Sequence, residues 1–326
     1  GYIVPRLGVA PTSPAIDPDV RIRRVTFEPG LQYEPSLSPD GNYLAYASDD
    51  RGDLDIVVQP IAGGAVQRIV ATDADESQPV WSPDGSRLAY VSGEGRGGRL
   101  HSISGLGLGS AFVHGAGGGI RVVPAMGGEA LEVVEDGCQP SWSPDGGSIV
   151  FASQRDGQWN LWIVSVGDGR QRRLTEGDLT DFQPRWSPDG RWIAFARENS
   201  GATSLMVVPA EGGQPIAILR QDELVLSPAW SPDGRDLYFS SDRAGAGGVL
   251  NLWRVPFNAD DPEVHPRAQR VTLGAESDVG THIGNEHRLA FATVRFTPDI
   301  WELTFADGSL RQVTDTPSAE DYPHLS

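Results

Sequence analysis

The sequence has no lysine, a single cysteine and no long apolar run. All 26 basic residues are arginine, and 44 acidic residues bring the net charge to −18. Nucleic acids and anionic membrane surfaces attract positive potential, so neither is expected as the main partner. Cys138 alone can form neither an intramolecular disulfide nor a cysteine-based metal site. No apolar run reaches the roughly 18 residues that a membrane-spanning helix needs.

Two segments depart from the composition of the rest. Residues 1–20 are rich in proline and lack periodicity, and we interpret them as an extended N-terminal arm. The chain starts at Gly1 with neither Met nor a signal peptide, so we expect a processed or excised piece. Residues 93–119 form an insertion rich in Gly and Ser. The remainder of residues 21–326 carries one repeat, which we interpret as one domain.

The repeat is organised around the string Ser-Pro-Asp-Gly. It starts at Ser38, Ser82, Ser143, Ser187 and Ser231. Proline at the second position and glycine at the fourth fit a type I turn, and an apolar run follows each copy, which predicts a β-hairpin. Successive copies start 44 residues apart, except that 61 residues separate Ser82 from Ser143. Four strands in a period of about 40–45 residues predict the blades of a β-propeller.

The predicted fold is therefore all-β, a single propeller of four-stranded antiparallel blades. The second and third strands are apolar without strict alternation, as in sheets that are covered on both faces. We expect tryptophans between neighbouring blades, at Trp81, Trp142, Trp186 and Trp230. Six complete sets of strands, with one extra strand at residues 21–26 and another at 322–326, favour a six-bladed ring. A seven-bladed ring is the alternative. The sixth set has lost its signature, and His282 aligns there with the tryptophan position.

The Ser-Pro-Asp-Gly hairpin, the Asn-Leu-Trp strands and the Arg-Leu-Thr ending resemble the TolB-like propeller repeat over about residues 21–326. That repeat occurs in periplasmic, partner-binding TolB and in propellers that precede prolyl-oligopeptidase-type peptidase domains. It also occurs in extracytoplasmic propeller domains of bacterial membrane proteins, which residues 21–41 resemble most. The resemblance implies a periplasmic or otherwise extracytoplasmic location.

We therefore expect a non-catalytic interaction propeller, acting as a sensor or scaffold domain or as an extrinsic subunit of a membrane-associated assembly. Its partner would be a protein, with a membrane protein complex as one form, and the chain itself would be monomeric. One alternative is the substrate-gating propeller of a peptidase whose catalytic domain is absent. Another is a small-molecule or glycan binder that uses the central channel. The chain contains no Gly-x-Ser-x-Gly elbow, and we predict neither catalysis nor a cofactor.

Charged residues of both signs are expected on one face. Arginines lie in the connections between second and third strands, and acidic residues lie in the connections between blades. The candidates are Arg51, Arg155, Arg197, Arg243 and Arg295 with Asp73, Asp75, Asp178 and Asp181. Alternating charge predicts a protein-docking surface. The alternative is that each arginine only fixes its own loop by pairing with a neighbouring aspartate: Asp50, Asp156 or Asp242.

No metal site is predicted, and the one weak candidate is for Ca²⁺. It consists of Asp49, Asp50, Asp53 and Asp55, four carboxylates within seven residues. The segment lacks the full spacing and the final bidentate Glu of an EF-hand loop. A solvated loop is the simpler interpretation.

Overall fold

The structure is a computed structural model. It describes residues 25–26, 32–93, 118–200, 202–219, 224–243, 249–262, 267–272, 277–283, 289–294, 301–304 and 309–312. This part of the chain consists of strands, turns and connections, and none of its elements is a helix. Accordingly, it contains no helix with the length and apolarity to cross a membrane. The predicted arm at residues 1–20 and the predicted last strand at 322–326 lie outside the described residues.

Five consecutive sets of strands form antiparallel blades in chain order. Blade 1 contains β1 (Gln32–Leu37), β2 (Tyr43–Ser48), β3 (Asp55–Pro60) and β4 (Gln67–Val70). Blade 2 contains β5 (Glu76–Trp81), β6 (Arg87–Ser92), β7 (Gly118–Pro124) and the start of β8 (Leu131–Trp142). Blade 3 contains the end of β8, then β9 (Ser148–Ser153), β10 (Asn160–Ser165) and β11 (Gln171–Arg173).

The remaining strands continue the same order. Blade 4 contains β12 (Thr180–Trp186), β13 (Trp192–Asn199), β14 (Ala202–Pro209) and β15 (Ile216–Leu219). Blade 5 contains β16 (Val225–Trp230), β17 (Asp236–Ser241), β18 (Asn251–Pro256) and β19 (Gln269–Arg270). Two pairs follow, β20 (Ser277–Ile283) with β21 (Leu289–Val294), and β22 (Trp301–Thr304) with β23 (Ser309–Gln312).

One connection differs from the prediction. Strand β8 runs without a break from its pairing with β7 to its pairing with β9, so blades 2 and 3 share one seven-stranded sheet. Gly137 makes this possible, because a Cβ there would lie 2.6 Å from Cδ2 of Phe151. The predicted insertion is also shorter than expected, since Gly118 and Gly119 belong to β7. Its residues 94–117 lie outside the described part.

The Ser-Pro-Asp-Gly turns form as predicted in all five blades. In blade 3, the Gly146 N–H donates to the Ser143 carbonyl oxygen at 2.9 Å. The Ser143 hydroxyl donates to Asp145 Oδ1 at 2.6 Å and accepts the Ser148 N–H at 2.9 Å. Hydrogen bonds from Ser143 and the Gly147 N–H hold the pKa of Asp145 below its usual value. Each turn is therefore fixed by its own side chains.

The core lies between the blades, as the apolar strands predict. The second strand of each blade buries one aromatic ring almost completely. These residues are Tyr46, Tyr90, Phe151, Phe195 and Phe239. The indole N–H groups of Trp81, Trp142 and Trp230 donate to main-chain oxygens of the preceding blade at 3.0–3.2 Å, which confirms their predicted place. Trp186 differs in donating to Gly190 of its own turn.

Replacing Gly146 by alanine is expected to lower the free energy of unfolding by about 1–2 kcal/mol. Its φ is 69°, where an L-residue with a side chain is strained. The added Cβ would itself make only ordinary contacts, with Pro83 Cδ at 3.7 Å and Arg87 Nη2 at 3.8 Å. Urea denaturation measures the loss. Gly167→Ala is the matched control, because Gly167 lies in the same blade outside the left-handed region and has open space around it. Equal losses in both variants would contradict the role of φ.

Candidate functional site

The first strands of the five blades, together with β20, line one central cavity. Its volume is about 60 Å³. The lining residues include Glu34, Gln78, Gln139, Gln183, Ser227 and Gly280, one from each of the six strands. Arg185 and His282 also line it. Every lining side chain therefore comes from an innermost strand.

A bulge in each innermost strand creates this lining. One lining residue of each strand has a positive φ, between 51° and 66°: Glu34, Gln78, Gln139, Gln183, Ser227 and Gly280. Each strand's pairing with its neighbour skips this residue and the next one. In five strands the next residue is proline, which has no N–H to leave unpaired. Each of those bulges thus leaves one backbone N–H that needs an acceptor outside its own sheet.

In β5, β8, β12, β16 and β20, a side chain of the preceding blade supplies the acceptor for the N–H of the bulge residue. Glu34 Oε2 accepts the Gln78 N–H at 2.7 Å, and Gln78 Oε1 accepts the Gln139 N–H at 2.5 Å. Gln139 Oε1 then accepts the Gln183 N–H at 2.7 Å, and Gln183 Oε1 accepts the Ser227 N–H at 2.6 Å. The Ser227 hydroxyl oxygen accepts the Gly280 N–H at 3.1 Å. This inner series gives the glutamines before proline a structural purpose.

A second series corrects the predicted position of His282. The backbone N–H groups of Trp81 and Trp186 each donate to a serine hydroxyl of the preceding blade, at 3.4 and 3.1 Å. The Leu37 N–H donates to His282 Nδ1 at 3.2 Å in the same way. His282 pairs with Ala290 in the register of those serines, and Ile283 takes the tryptophan position. The connection from Ile283 to Leu289 is one residue shorter than its counterpart from Trp186 to Ile193, and this difference shifts the alignment by one residue.

Three ionisable side chains lie in the cavity. Burial raises the pKa of Glu34 to about 7, against the opposing hydrogen bonds from Gln78. Burial lowers the pKa of Arg185 to about 10, so Arg185 stays cationic at neutral pH. Burial, with a smaller effect from the Arg185 charge, lowers the pKa of His282 to about 3 and keeps this imidazole neutral. The cavity therefore combines a cation with a carboxyl group that titrates near neutrality.

The predicted docking residues divide into two groups, and the first fixes the main chain. Arg197 and Asp181 are cross-strand partners within β13 and β12, not loop residues as predicted, since both strands extend beyond the expected ends. Their guanidinium and carboxylate form two bonds of 2.6 and 2.8 Å, and Asp181 is buried. Asp75 Oδ1 accepts the Leu54 N–H at 3.2 Å.

Arg155 and Arg243 also contact their own blades. Arg155 Nε donates to the Ser153 hydroxyl at 2.9 Å, and Arg155 Nη2 donates to the Asp136 carbonyl oxygen at 2.6 Å. The guanidinium of Arg243 lies 5.2 Å from the centroid of the Trp253 ring. These two arginines are therefore held against sheet residues of blades 3 and 5.

The second group is exposed. Arg51, Asp73 and Asp178 are exposed residues of the connections on this face. Arg295 lies outside the described residues. The exposed three carry both signs of charge, as the docking prediction requires.

The aspartates named as loop partners bind other groups. Asp50 pairs with Arg68 at 2.8 Å, Asp156 pairs with Arg173 at 3.3 Å, and Asp242 accepts the Leu224 N–H at 3.1 Å. The predicted pairings with Arg51, Arg155 and Arg243 are therefore replaced by bonds to neighbouring strands and the backbone. For Asp50 and Asp156 the reason is reach, because Arg68 and Arg173 of the fourth strands extend across the blade edge toward these carboxylates.

The calcium candidate does not assemble. Arg68 binds carboxylate oxygens of both Asp50 and Asp55. Within the part of the chain that the structure describes, no three His, Cys, Asp or Glu side chains are placed to hold a metal ion. Asp49 and Asp53 complete no such group. The segment is a loop fixed to β4 by an arginine.

Sequence reasoning missed the ionisable groups of the cavity. Glu34 and Arg185 stand in columns of the repeat that otherwise hold glutamine, serine, valine, alanine or glycine, apart from His282. A comparison of the five Pro-containing segments, position by position, would have found both as departures from neutral residues. The signal is weak without the bulge, which is what turns these positions inward.

The fold and its cavity define the chain as a β-propeller of four-stranded blades. Residues 134–245 match the family model of the TolB beta propeller domain, which confirms the resemblance to the TolB-like propeller. A comparison with curated proteins finds no match.

Solved structures support the fold. A protein described as a TolB of Agrobacterium tumefaciens aligns with a TM-score of 0.63 and 22% identity, over 83% of this chain and 94% of that one. TolB of Acinetobacter baumannii aligns at 0.56 and 18%, over 74% and 56% of the two chains. The oligogalacturonate lyase of Vibrio parahaemolyticus aligns at 0.56 and 14%, over 92% and 83%. At these identities the likeness concerns the fold, and it includes both TolB proteins and an enzyme.

Glu34→Gln is expected to stabilise the protein more as the pH rises. The pKa of Glu34 is about 7 in the folded chain and 4.5 ordinarily, so folding binds a proton between these values, and wild-type stability falls as pH rises through this window. Across this window the free energy of unfolding of the wild type falls by up to about 3 kcal/mol. Urea denaturation of both proteins at about pH 5 and pH 8 measures it, and other titrating groups cancel in the comparison. Glutamine keeps the acceptor for the Gln78 N–H, and a difference that does not change with pH would contradict the burial of this carboxyl group.

Proposed function

We propose that this chain is a non-catalytic interaction propeller that binds a protein partner on the face formed by the B–C and blade-to-blade connections. Here B–C denotes the connection between the second and third strands of a blade. The observation that carries the proposal is that the charged residues of this face fall into two groups. Buried or internally bonded charges fix the connections, and exposed charges of both signs remain for a partner.

The bonds on this face support a preformed surface. The Arg197–Asp181 pair fixes the start of blade 4, and Arg155 fixes the B–C connection of blade 3. Arg51, Asp73 and Asp178 then project from connections whose backbone needs little ordering on binding. Preorganisation lowers the entropy cost of association, and opposite charges give the orientation of the partner.

The cavity supports a role without catalysis. Among its lining residues, only Ser227 carries a hydroxyl, and its oxygen accepts the Gly280 N–H. His282 Nδ1 accepts the Leu37 N–H. Neither bond joins a nucleophile to a base, which is the arrangement that covalent catalysis requires. We further propose an extracytoplasmic location and a membrane-associated protein as the partner, on the resemblance to TolB-like propellers.

The double variant Arg51→Glu/Asp178→Arg is expected to reduce recovery of a partner about tenfold in a pull-down from the native membrane fraction, because both exposed charges are reversed. Arg170→Glu is the matched control. Arg170 is exposed, and it lies in the turn between the third and fourth strands of blade 3, at the opposite end of the blade. Equal recovery by all three proteins, or a loss in the control alone, would overturn this docking face.

We also propose that the ring has six blades and that the sheet containing β20 and β21 is the sixth. Leu37 of blade 1 binds His282 of β20 as each blade binds the preceding one. A Cβ added to Gly280 would lie 3.4 Å from Pro35 Cδ and 3.7 Å from Glu34 Cα, so β20 lies directly beside β1. Val25 packs in a cluster that includes Leu37 of β1 and Ala290 of β21, so Val25 lies at the same seam.

His282→Leu is expected to destabilise a six-bladed ring by about 1–3 kcal/mol, because the Leu37 N–H loses its acceptor. His282→Asn retains an acceptor close to the position of Nδ1 and should recover most of the loss. Chemical denaturation of the three proteins provides the measurement. If a seventh blade separated β20 from β1, leucine would be neutral or stabilising, and asparagine would be the more destabilising of the two.

A further inference from the structure

We propose that the central cavity is a binding site for a small carboxylate, which is held by the guanidinium of Arg185. The site is separate from the docking face, and neither proposal depends on the other. The proposal of a carboxylate site rests on the surroundings of Arg185, the volume of the cavity and the neighbouring carboxyl group of Glu34.

Arg185 is a half-buried cation with an unused buried donor. Its Nη1 donates to the carbonyl oxygen of Pro184 at 2.9 Å. Its Nε is buried and has no hydrogen-bond partner among the described residues. Within those residues, no carboxylate lies within ion-pair distance of its guanidinium. The arginines that do form ion pairs in this part of the chain all bind an aspartate or glutamate. Buried donors and buried charges are normally paired.

The chemistry and size of the cavity define the missing group. A guanidinium binds a carboxylate through two parallel N–H···O bonds, and Nε with one Nη is one of the edges that can form them. The cavity volume is about 60 Å³, while one water needs roughly 10–15 Å³ on such a measure. The space therefore suits a few waters or one carboxylate group. Formate and acetate fit this description better than a sugar ring.

Glu34 makes the site sensitive to pH. Its carboxyl group interacts with the Arg185 charge on β12 and with the Cys138 thiol on β8, and the neutral His282 on β20 lines the same cavity. Burial raises the pKa of Cys138, so Cys138 carries no charge at neutral pH. Ionised Glu34 is then the one anion of this group, and it competes with a ligand for Arg185. Protonated Glu34 leaves the cation to the ligand.

The test observes Arg185 directly. In ¹⁵N-labelled protein, the Nε–H resonance of Arg185 is identified by its loss in Arg185→Gln, or in Arg185→Lys should the first variant not fold. Acetate is added at constant ionic strength, with acetamide as the uncharged analogue of the same size. We expect a saturable shift with acetate and none with acetamide. With the pKa of Glu34 at about 7, the apparent dissociation constant should be about tenfold larger at pH 8 than at pH 6.

Two controls decide the outcome. The Nε–H of Arg191, an exposed arginine in the same blade that pairs with Asp189 at 2.8 Å, should show no saturable shift. Glu34→Gln should bind acetate with the same affinity at both pH values. Parallel shifts of Arg185 and Arg191, or no saturation in wild type and Glu34→Gln, would overturn the site. Saturable binding by wild type with equal affinity at both pH values would overturn the competition by Glu34.

Discussion

The architecture depends on the need to satisfy one backbone N–H in each of the innermost strands β5, β8, β12, β16 and β20. A bulge removes that N–H from its own ladder, and a buried unpaired donor costs about 1–3 kcal/mol. The preceding blade satisfies it with a side chain from its own bulge, as in the bond from Gln139 N–H to Gln78. Each bond therefore ties two blades together. The ring is organised by polar contacts at its centre as well as by apolar packing between its sheets.

This constraint leaves only certain positions free to vary. Any residue with an acceptor of suitable reach satisfies the neighbouring N–H, so glutamine, glutamate and serine all occur in the series. A change from amide to carboxylate keeps the bond and adds an ionisable group. Two residues further along, Arg185 and His282 vary beside serines and small apolar residues. Chemical character can thus be placed in the cavity without altering the frame.

Much of the fold could be read from the residues because its local signals agree. Proline and glycine in the Ser143 turn, and the apolar strand that follows it, predict the same hairpin that the structure contains. The position of His282 could not be predicted correctly, because the connection after Ile283 is one residue shorter than in the other blades and carries no Ser-Pro-Asp-Gly to mark the register. Likewise, the sequence predicts loop positions for Arg197 and Asp181, since nothing in it marks how far a strand continues past its apolar residues. In both cases the position of the residue is fixed by strand pairing.

The candidate site was less predictable than the fold for a related reason. Charged loop residues are visible in a sequence, but whether Arg155 is free or bonded depends on Asp136, which is distant along the chain. The ionisable groups of the cavity are single residues on separate blades, and only ring geometry brings Glu34 and Arg185 into one space. Local patterns carry no information about such a meeting.

Strand β8 has a mechanical consequence. Between blades 2 and 3, one continuous strand and its two ladders transmit any load, whereas other neighbouring blades are joined by a connection outside the ladders, by single hydrogen bonds and by packing. A ring strained by tension or heat should part first at the seams that no single strand crosses. Blades 2 and 3 then behave as one stiff segment, and the remaining blades move relative to it.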